Sequence, residues 1–273
     1  MDRTRQLPVE LWEQIIRTFA LSYRLEQKQP LVELTHLCWS LAVAARPTLY
    51  RTVFVSVRNV HCVCERIDQD ADAFRTWTRG LWMLDHVSPT HAAVLSSGFA
   101  NITALGGNPY NFPTFNSLLR PRLVVLDAFI WAGDWRKVYP AIYPVLSHVE
   151  HLRLGITSIG RLESRALEIP AEVVVVDLIV TDGLRSYFNS ESSISLVRAF
   201  LNEPALRRLQ INLDITAREH IQAFHDALQG INDPRLTVQY QEVVPTSSGD
   251  ASIPRILHSR HLRVFEEATA SRG

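Results

Sequence analysis

Apolar residues recur along this chain at two spacings, which divide it into an N-terminal helical part and a longer part with strand-like runs. Near the N-terminus the spacing is helical, with two adjacent apolar stripes that contain Leu11, Ile15 and Phe19, and Trp12 and Ile16. These stripes predict an amphipathic helix whose apolar face is wider than one small helix covers. From about residue 51 onward the apolar residues come in short alternating runs, which are typical of strands.

The first helix is expected to begin at Pro8, because the fixed φ of proline suits a first helical turn. A second helical pattern runs from about Leu31 to Ala45, and Pro47 is expected to end it. Its predicted inward positions are Leu31, Leu34, Leu37, Cys38 and Leu41. Such short helices cannot bury enough surface to be stable alone. They must therefore dock on the rest of the chain, on a partner, or on both.

A loose repeat of short apolar runs follows this segment. The runs align at Leu81, Leu105, Leu126, Leu152, Val176 and Leu209, with steps of 24, 21, 26, 24 and 33 residues. Most of these steps lie within the range of about 20 to 29 residues that characterises leucine-rich repeats. The alternating segments Arg51–Val57 and Leu236–Val244 predict one further strand before the repeat and one after it.

Helical patterns lie between the apolar runs. They cover residues 61–74, 88–97, 138–146, 192–201 and 216–228. Ser88 and Thr216 are the expected caps of the second and the last of these. Pro140 and Pro144 are expected to limit the third to short turns. Strands that alternate with helices predict an α/β fold with a parallel sheet. The chain has no G-x-G-x-x-G or Walker-type motif, which favours a solenoid over a doubly wound sheet.

Composition narrows the class of protein. The chain has 273 residues, 47% of them hydrophobic, which is enough for a sizeable core. Lys and Arg number 28, as do Asp and Glu, so nothing indicates a nucleic-acid or membrane-surface binder. Three cysteines, no signal peptide and no run long enough to span a bilayer favour a cytoplasmic or nuclear protein.

Candidate chemistry is sparse. Cys62 and Cys64 have the wrong spacing for a zinc knuckle and are expected on different faces of one element. The histidine pairs and the alternating Asp68, Asp70 and Asp72 also lack the partners of a metal site. No G-x-S-x-G elbow is present. We therefore expect no catalytic residue, no metal and no cofactor; residues 134–137 are expected to form a loop.

A family resemblance rests on the N-terminal residues. The stretch Leu7-Pro-Val-Glu-Leu-Trp-Glu-Gln-Ile-Ile16 resembles the opening of the F-box motif, Leu-Pro-x-Glu-Leu-x-x-x-Ile-Leu/Ile. The stretch Leu34-Thr-His-Leu-Cys-Trp-Ser-Leu41 is similar to the second helix of that motif, and residues 45–53 to its closing segment in many fungal F-box proteins. Leu41 stands where the family has a Trp, with Trp39 nearby. The spacing between the first two helices is also longer than usual.

The resemblance implies a non-catalytic substrate-recognition subunit of a cullin-type (SCF) ubiquitin ligase. Residues 1–54 would form a three-helix adaptor-binding segment, residues 55–244 a leucine-rich-repeat-like domain for a target protein, and residues 245–273 a tail. The residues implied in binding the SCF adaptor subunit, and through it a cullin, are Leu7, Pro8, Leu11, Ile15, Ile16, Cys38 and Leu41.

Two alternatives remain at this stage. The first is a non-degradative scaffold with a vestigial F-box, which the Leu41 departure favours. The second is an α/β enzyme with a helical N-terminal extension, which would need convergent polar groups in a pocket. Adaptor binding separates the receptor and the scaffold from the enzyme, and ubiquitin transfer separates the receptor from the scaffold.

Overall fold

The computed structural model describes residues 8, 10–12, 14–15, 18, 29–37, 39–115, 119–129, 132–156, 173–180, 190–214, 218–241, 265 and 269. The helices are α1 (Gln29–Leu37), α2 (Trp39–Arg51), α3 (Val60–Gln69), α4 (Ala71–Trp77), α5 (Pro89–Gly98), α6 (Ala132–Leu146), α7 (Ser190–Asn202) and α8 (Arg218–Gln229). The strands are β1 (Thr52–Val55), β2 (Gly80–Met83), β3 (Ala104–Gly107), β4 (Leu123–Phe129), β5 (His151–Ile156), β6 (Val175–Val180), β7 (Arg208–Asp214) and β8 (Leu236–Gln241).

The eight strands form one sheet in which all neighbours are parallel and the spatial order is the order along the chain. This is a mixed α/β structure, and the sequential strand order is compatible with an open, solenoid-like arrangement. A doubly wound sheet would instead reverse its strand order at a switch point. None of the described helices combines the length and apolarity that crossing a membrane requires.

The register confirms most of the alignment predicted from the apolar runs. Leu81 pairs with Leu105, and Leu152 pairs with Val176, which in turn pairs with Leu209. The prediction was wrong at β4, where Val124 and not Leu126 occupies this row. A shift of two residues keeps a side chain on the same face of a strand, so the hydrophobic pattern does not distinguish the two registers.

One face of the sheet and the helices that pack on it form the main core. Alternate residues of the strands, such as Val55, Leu81 and Leu105, are buried here together with apolar residues of α3 to α8. The expected buried positions of α7, namely Ile194, Val197, Phe200 and Leu201, lie in this core. The other alternate residues of each strand point to the second face, which has a smaller core of its own.

The predicted start of α5 is confirmed. Pro89 is at the first helical position, and the Ser88 hydroxyl accepts a hydrogen bond from the backbone N–H of His91 at 3.3 Å. This side-chain cap satisfies one of the amides that a helix start leaves without an internal partner. Thr216, the cap predicted for α8, lies outside the described residues.

Prolines did not end helices where the sequence predicted. Pro47 lies inside α2, which continues to Arg51, and both Pro140 and Pro144 lie inside α6. Each proline removes one intrahelical hydrogen bond. In α6 both prolines are exposed, and Tyr139, Ile142, Val145 and Leu146 are buried on the core side. Packing therefore holds the helix through its weak points, and residues 134–137 are helical instead of forming the predicted loop.

Candidate functional site

The first helical residues present apolar side chains to solvent. The backbone N–H groups of Leu11 and Trp12 donate to the carbonyl of Pro8 at 3.1 and 3.2 Å, so a helical turn starts where it was predicted. Leu11 is 45% exposed and Ile15 is 47% exposed, and Trp12 is exposed beside them. Exposed leucine, isoleucine and tryptophan on one helical segment are typical of a surface that another protein covers.

The next two helices continue this exposure. Leu37, which was predicted to face inward, is 71% exposed, and Trp39 is 80% exposed. The opposite side of α2 packs on the rest of the chain, where the Tyr50 ring stacks on Trp77 with their ring centroids 5.9 Å apart. Because α2 buries one side against α4, its other side is left to solvent. We name the seven exposed side chains the N-terminal apolar set: Leu11, Trp12, Ile15, Val32, Leu37, Trp39 and Val43.

Part of the predicted adaptor-binding set lies at the surface. Pro8, Leu11 and Ile15 are exposed, and Leu41 is half-buried. Leu7, Ile16 and Cys38 lie outside the described residues. Leu37 and Trp39 were not in the predicted set as contact residues. The sequence did hold one indication for Trp39, because it lies two residues before Leu41, where the F-box family carries a Trp.

The second face of the sheet changes character from its first strands to its last. Along β2 to β4 it is apolar and buried, with Trp82, Ala104, Leu123 and Val125 in one cluster. The Trp82 ring lies over Gly106 of the neighbouring strand, where a Cβ atom would stand 2.2 Å from the ring. Glycine is required there because any side chain would overlap the indole.

Two helical residues near the C-terminus pack on this apolar part. Phe265 is fully buried, and its ring meets Trp82 edge to face with the ring centroids 5.2 Å apart. The Thr269 hydroxyl lies 3.1 Å from that of Thr52, and the Thr269 carbonyl accepts a hydrogen bond from Arg51 Nε at 3.0 Å. The C-terminal residues therefore cover the first strands and also contact the last residue of α2.

Charged side chains occupy the second face at β5 to β7. His151 Nε2 lies 2.8 Å from Asp177 Oδ2, and Arg153 and Arg208 lie 3.8 and 3.9 Å from the two carboxylate oxygens. The side chains of Asp177 and Arg153 are only 7% and 8% exposed. Asp177 Oδ1 accepts no hydrogen bond from the described residues. The sequence did not single out this cluster, because its members lie on three different strands.

The environment of Asp177 sets its protonation. Burial raises the pKa of the carboxyl, but the hydrogen bond from His151 and the charges of His151, Arg153 and Arg208 outweigh burial and hold that pKa below its ordinary value. Asp177 is therefore ionised at neutral pH. Its charge holds Arg153 and His151 in place across the strands.

Uncharged polar groups continue this face to the last strand. Gln210 Nε2 donates to Asn212 Oδ1 at 3.0 Å and to Gln239 Oε1 at 3.2 Å. Thr237 and Gln239 of β8 are exposed. The amide groups thus link β7 to β8, and donors and acceptors remain at the surface there.

The cysteines on α3 were among the candidate reactive side chains of the sequence, and the structure describes both. Cys62 is exposed and Cys64 is buried on α3, so the two thiols lie on different faces, as predicted. Burial, with a smaller effect of Asp68, raises the pKa of the Cys64 thiol, which disfavours the reactive thiolate. Within the described residues, no three metal-binding side chains converge.

No protein-family model and no curated protein matches this chain in sequence.

Proposed function

We propose that this chain is a non-catalytic substrate-recognition subunit of a cullin-type ubiquitin ligase. In this proposal the N-terminal helices bind the SCF adaptor subunit, and the repeat domain, of leucine-rich-repeat type, binds a target protein. Ubiquitin transfer to the target then gains its rate from tethering, because the target is held near the charged ubiquitin carrier. No titratable active site in this chain is needed for that role.

The observation that carries the proposal is the exposure of the N-terminal apolar set. Twelve large hydrophobic side chains of the described residues are exposed, and seven of them belong to residues 11–43. The sequence around three of the seven, Leu11, Trp12 and Ile15, is the part that resembles the F-box opening. An apolar helical surface of this kind is suited to a helical partner that covers it.

A pull-down with purified adaptor tests the proposal. The variant Leu11→Asp/Ile15→Asp is compared with the wild-type chain. A charge buried in a desolvated interface is costly, so we expect binding to weaken by at least about 100-fold. The matched control is Val57→Asp/Tyr110→Asp, which also places two charges at exposed apolar positions but outside residues 11–43. The control is expected to bind like the wild type.

The outcome that would overturn the proposal is a wild-type chain that does not bind the adaptor. Equal binding by the wild type and by Leu11→Asp/Ile15→Asp would also contradict it, because the apolar set would then lie outside the interface. Circular dichroism of all three proteins shows whether a loss of binding reflects a loss of folding.

A second candidate is a non-degradative scaffold with a vestigial F-box. It is favoured by the half-buried Leu41, which stands where the family carries a Trp. A scaffold of this kind would bind the adaptor without supporting ubiquitin transfer. Reconstitution with the adaptor, the cullin and the ubiquitin carrier distinguishes the two candidates, since ubiquitin transfer to a bound protein is expected for the receptor alone.

A further inference from the structure

Arginines line the edge of the sheet where the middle strands begin. The backbone N–H of Glu150 donates to the backbone carbonyl of Arg122 at 2.9 Å. In the same way the N–H of Val174 donates to the carbonyl of Glu150, and that of Arg207 to the carbonyl of Val174, both at 2.8 Å. These bonds place the starts of β4 to β7 on one line. Arg122, Arg207 and Arg208 are exposed along this line, and Arg120 is exposed two residues before Arg122. We name these four residues the basic edge.

Positive charge predominates around the basic edge. Buried Arg153 adds a fifth arginine. Among the described residues, Glu150 and Asp177 are the carboxylates at or near these strand starts, and Asp127 and Asp214 lie further along β4 and β7. Glu150 lies 3.8 Å from Arg122, and Asp177 contacts Arg153 and Arg208. Arg120 and Arg207 have neither carboxylate within salt-bridge distance. The local charge is therefore positive although the whole chain is neutral.

We propose that the basic edge is the part of the repeat domain that binds the target, and that the segment it binds is an acidic peptide. This inference rests on the proposed function, because it assigns the target-binding surface of that receptor. Four parallel strands extend over about 14 Å, which an extended peptide spans with about four or five residues. Carboxylates within such a segment meet Arg122 at one end and Arg207 and Arg208 at the other.

The described residues favour a peptide over a nucleic acid. Single-stranded nucleic acids bind through aromatic side chains on which bases stack, in addition to basic grooves. The exposed aromatic residues that the structure describes are Trp12, Trp39, Tyr110, Tyr143 and Tyr240. None of these five lies on the second face of β4 to β7. Complementary charge without stacking side chains is suited to carboxylates.

The C-terminal residues explain why binding is assigned to this part of the sheet. Phe265 and Thr269 pack over β1 and β2 on the second face, where Gly80 leaves room for both side chains. A peptide on that face would have to displace Phe265 from Trp82. The basic edge begins at β4, beyond these contacts, and its arginines are exposed.

The test uses the full chain and a fluorescein-labelled decapeptide of alternating Glu and Ser. Fluorescence anisotropy compares the wild type with Arg122→Glu/Arg208→Glu and with the matched control Arg58→Glu/Arg198→Glu, whose arginines are exposed in the turn after β1 and on α7. Charge reversal at two exposed positions is expected to weaken binding about tenfold. The control is expected to bind like the wild type, and added salt is expected to weaken wild-type binding.

Several outcomes would overturn the inference. They are no binding of the acidic peptide by the wild type, equal binding by all three proteins, and tighter binding of a Lys-Ser decapeptide. Tighter binding of a single-stranded oligonucleotide that depends on the same arginines would replace the peptide with a nucleic acid. If the charge-reversed protein does not fold, Arg122→Gln/Arg208→Gln removes the two charges with a smaller change and is tested in its place.

An adaptor pull-down on the same three proteins separates the two proposals. We expect all three to bind the adaptor, because the basic edge lies outside the N-terminal apolar set. Peptide binding without adaptor binding would contradict the proposed function and leave the basic edge as a binding surface. Adaptor binding without peptide binding would contradict the basic edge as a binding surface and leave the proposed function standing.

Discussion

Asp177 shows how one residue can organise a surface. It lies in the middle of β6, directly opposite Arg153 of β5 in the register of the sheet, and it also contacts His151 and Arg208. A buried carboxylate is tolerated because these three groups compensate for its lost hydration. The same contacts place Arg153 beside the basic edge.

We expect Asp177→Asn to lower the free energy of unfolding at pH 7 by about 3 kcal/mol, because it removes the buried charge that Arg153, His151 and Arg208 face. Because the pKa of Asp177 is lowered in the folded protein, its charge stabilises the fold at pH values above the unfolded pKa of about 3.9. This stabilisation is lost as the pH falls through the lowered pKa of the folded state. Urea unfolding at neutral pH and at successively lower pH values measures the difference between the two proteins, which is expected to shrink below about pH 4.

Asp72→Asn is the matched control, since the Asp72 side chain is 95% exposed and its nearest cation, Arg75, is 3.5 Å away. It is expected to leave stability nearly unchanged. A difference between Asp177→Asn and the wild type that is constant with pH would show that the charge of Asp177 is not what stabilises the fold.

At the scale of the element, α6 shows that packing determines where a helix ends. Its two prolines are four residues apart on the exposed side, and its buried residues form part of the main core. The hydrogen bonds on the solvent side of a helix are slightly longer than those on the core side, so the loss of one there is tolerated more easily. Prolines on that side therefore weaken α6 without interrupting its contacts with the core.

Pro144→Ala is expected to raise the free energy of unfolding by about 1 to 2 kcal/mol, because alanine restores a helical hydrogen bond and has a higher helix propensity. These gains outweigh the loss of the proline ring, which restricts the unfolded chain. Thermal and urea unfolding measure the change. Pro89→Ala is the control, because the first position of α5 needs no N–H donor. A loss of stability in Pro144→Ala would contradict this prediction, because Pro144 would then stabilise α6.

At the scale of the molecule, the C-terminal residues join distant parts of the chain. Thr269 contacts Arg51 and Thr52, which are more than 210 residues away in sequence, and Phe265 contacts Trp82 and Gly80. These contacts bury the apolar part of the second face, which would otherwise expose an indole and several aliphatic side chains. They also connect the end of α2 to the sheet.

Phe265→Ala is expected to lower the free energy of unfolding by about 3 kcal/mol or more, because it opens a cavity beside Trp82. In Phe265→Ala, the backbone amides of β1 to β3 are expected to exchange hydrogen faster than those of β5 to β7. Thr269→Val keeps the volume and removes one hydroxyl contact, so a smaller loss of about 1 kcal/mol is expected. Unchanged stability of Phe265→Ala would show that Phe265 does not pack on the sheet in solution.

The repeat, the strand positions and several helices of this protein were predictable because they depend on interactions between residues close in sequence. Alternation placed Leu81, Leu105 and Leu152 on one row, and Ser88 identified the start of α5. The helical turn after Pro8 followed from the same short-range rules. The family resemblance of the N-terminal residues also belongs to the sequence, and the adaptor it implies stays a prediction.

Other features were decided by tertiary structure alone. The sequence pattern treated Leu37 as inward, but the side of a helix that is buried depends on the element it meets, and Leu37 remains in solvent. The contacts of Asp177 come from separate strands, and those of Phe265 cross most of the chain. Periodicity specifies which residues share a face of an element, because side-chain direction repeats with the backbone. It does not specify what that face will contact, because this depends on how the whole chain closes on itself.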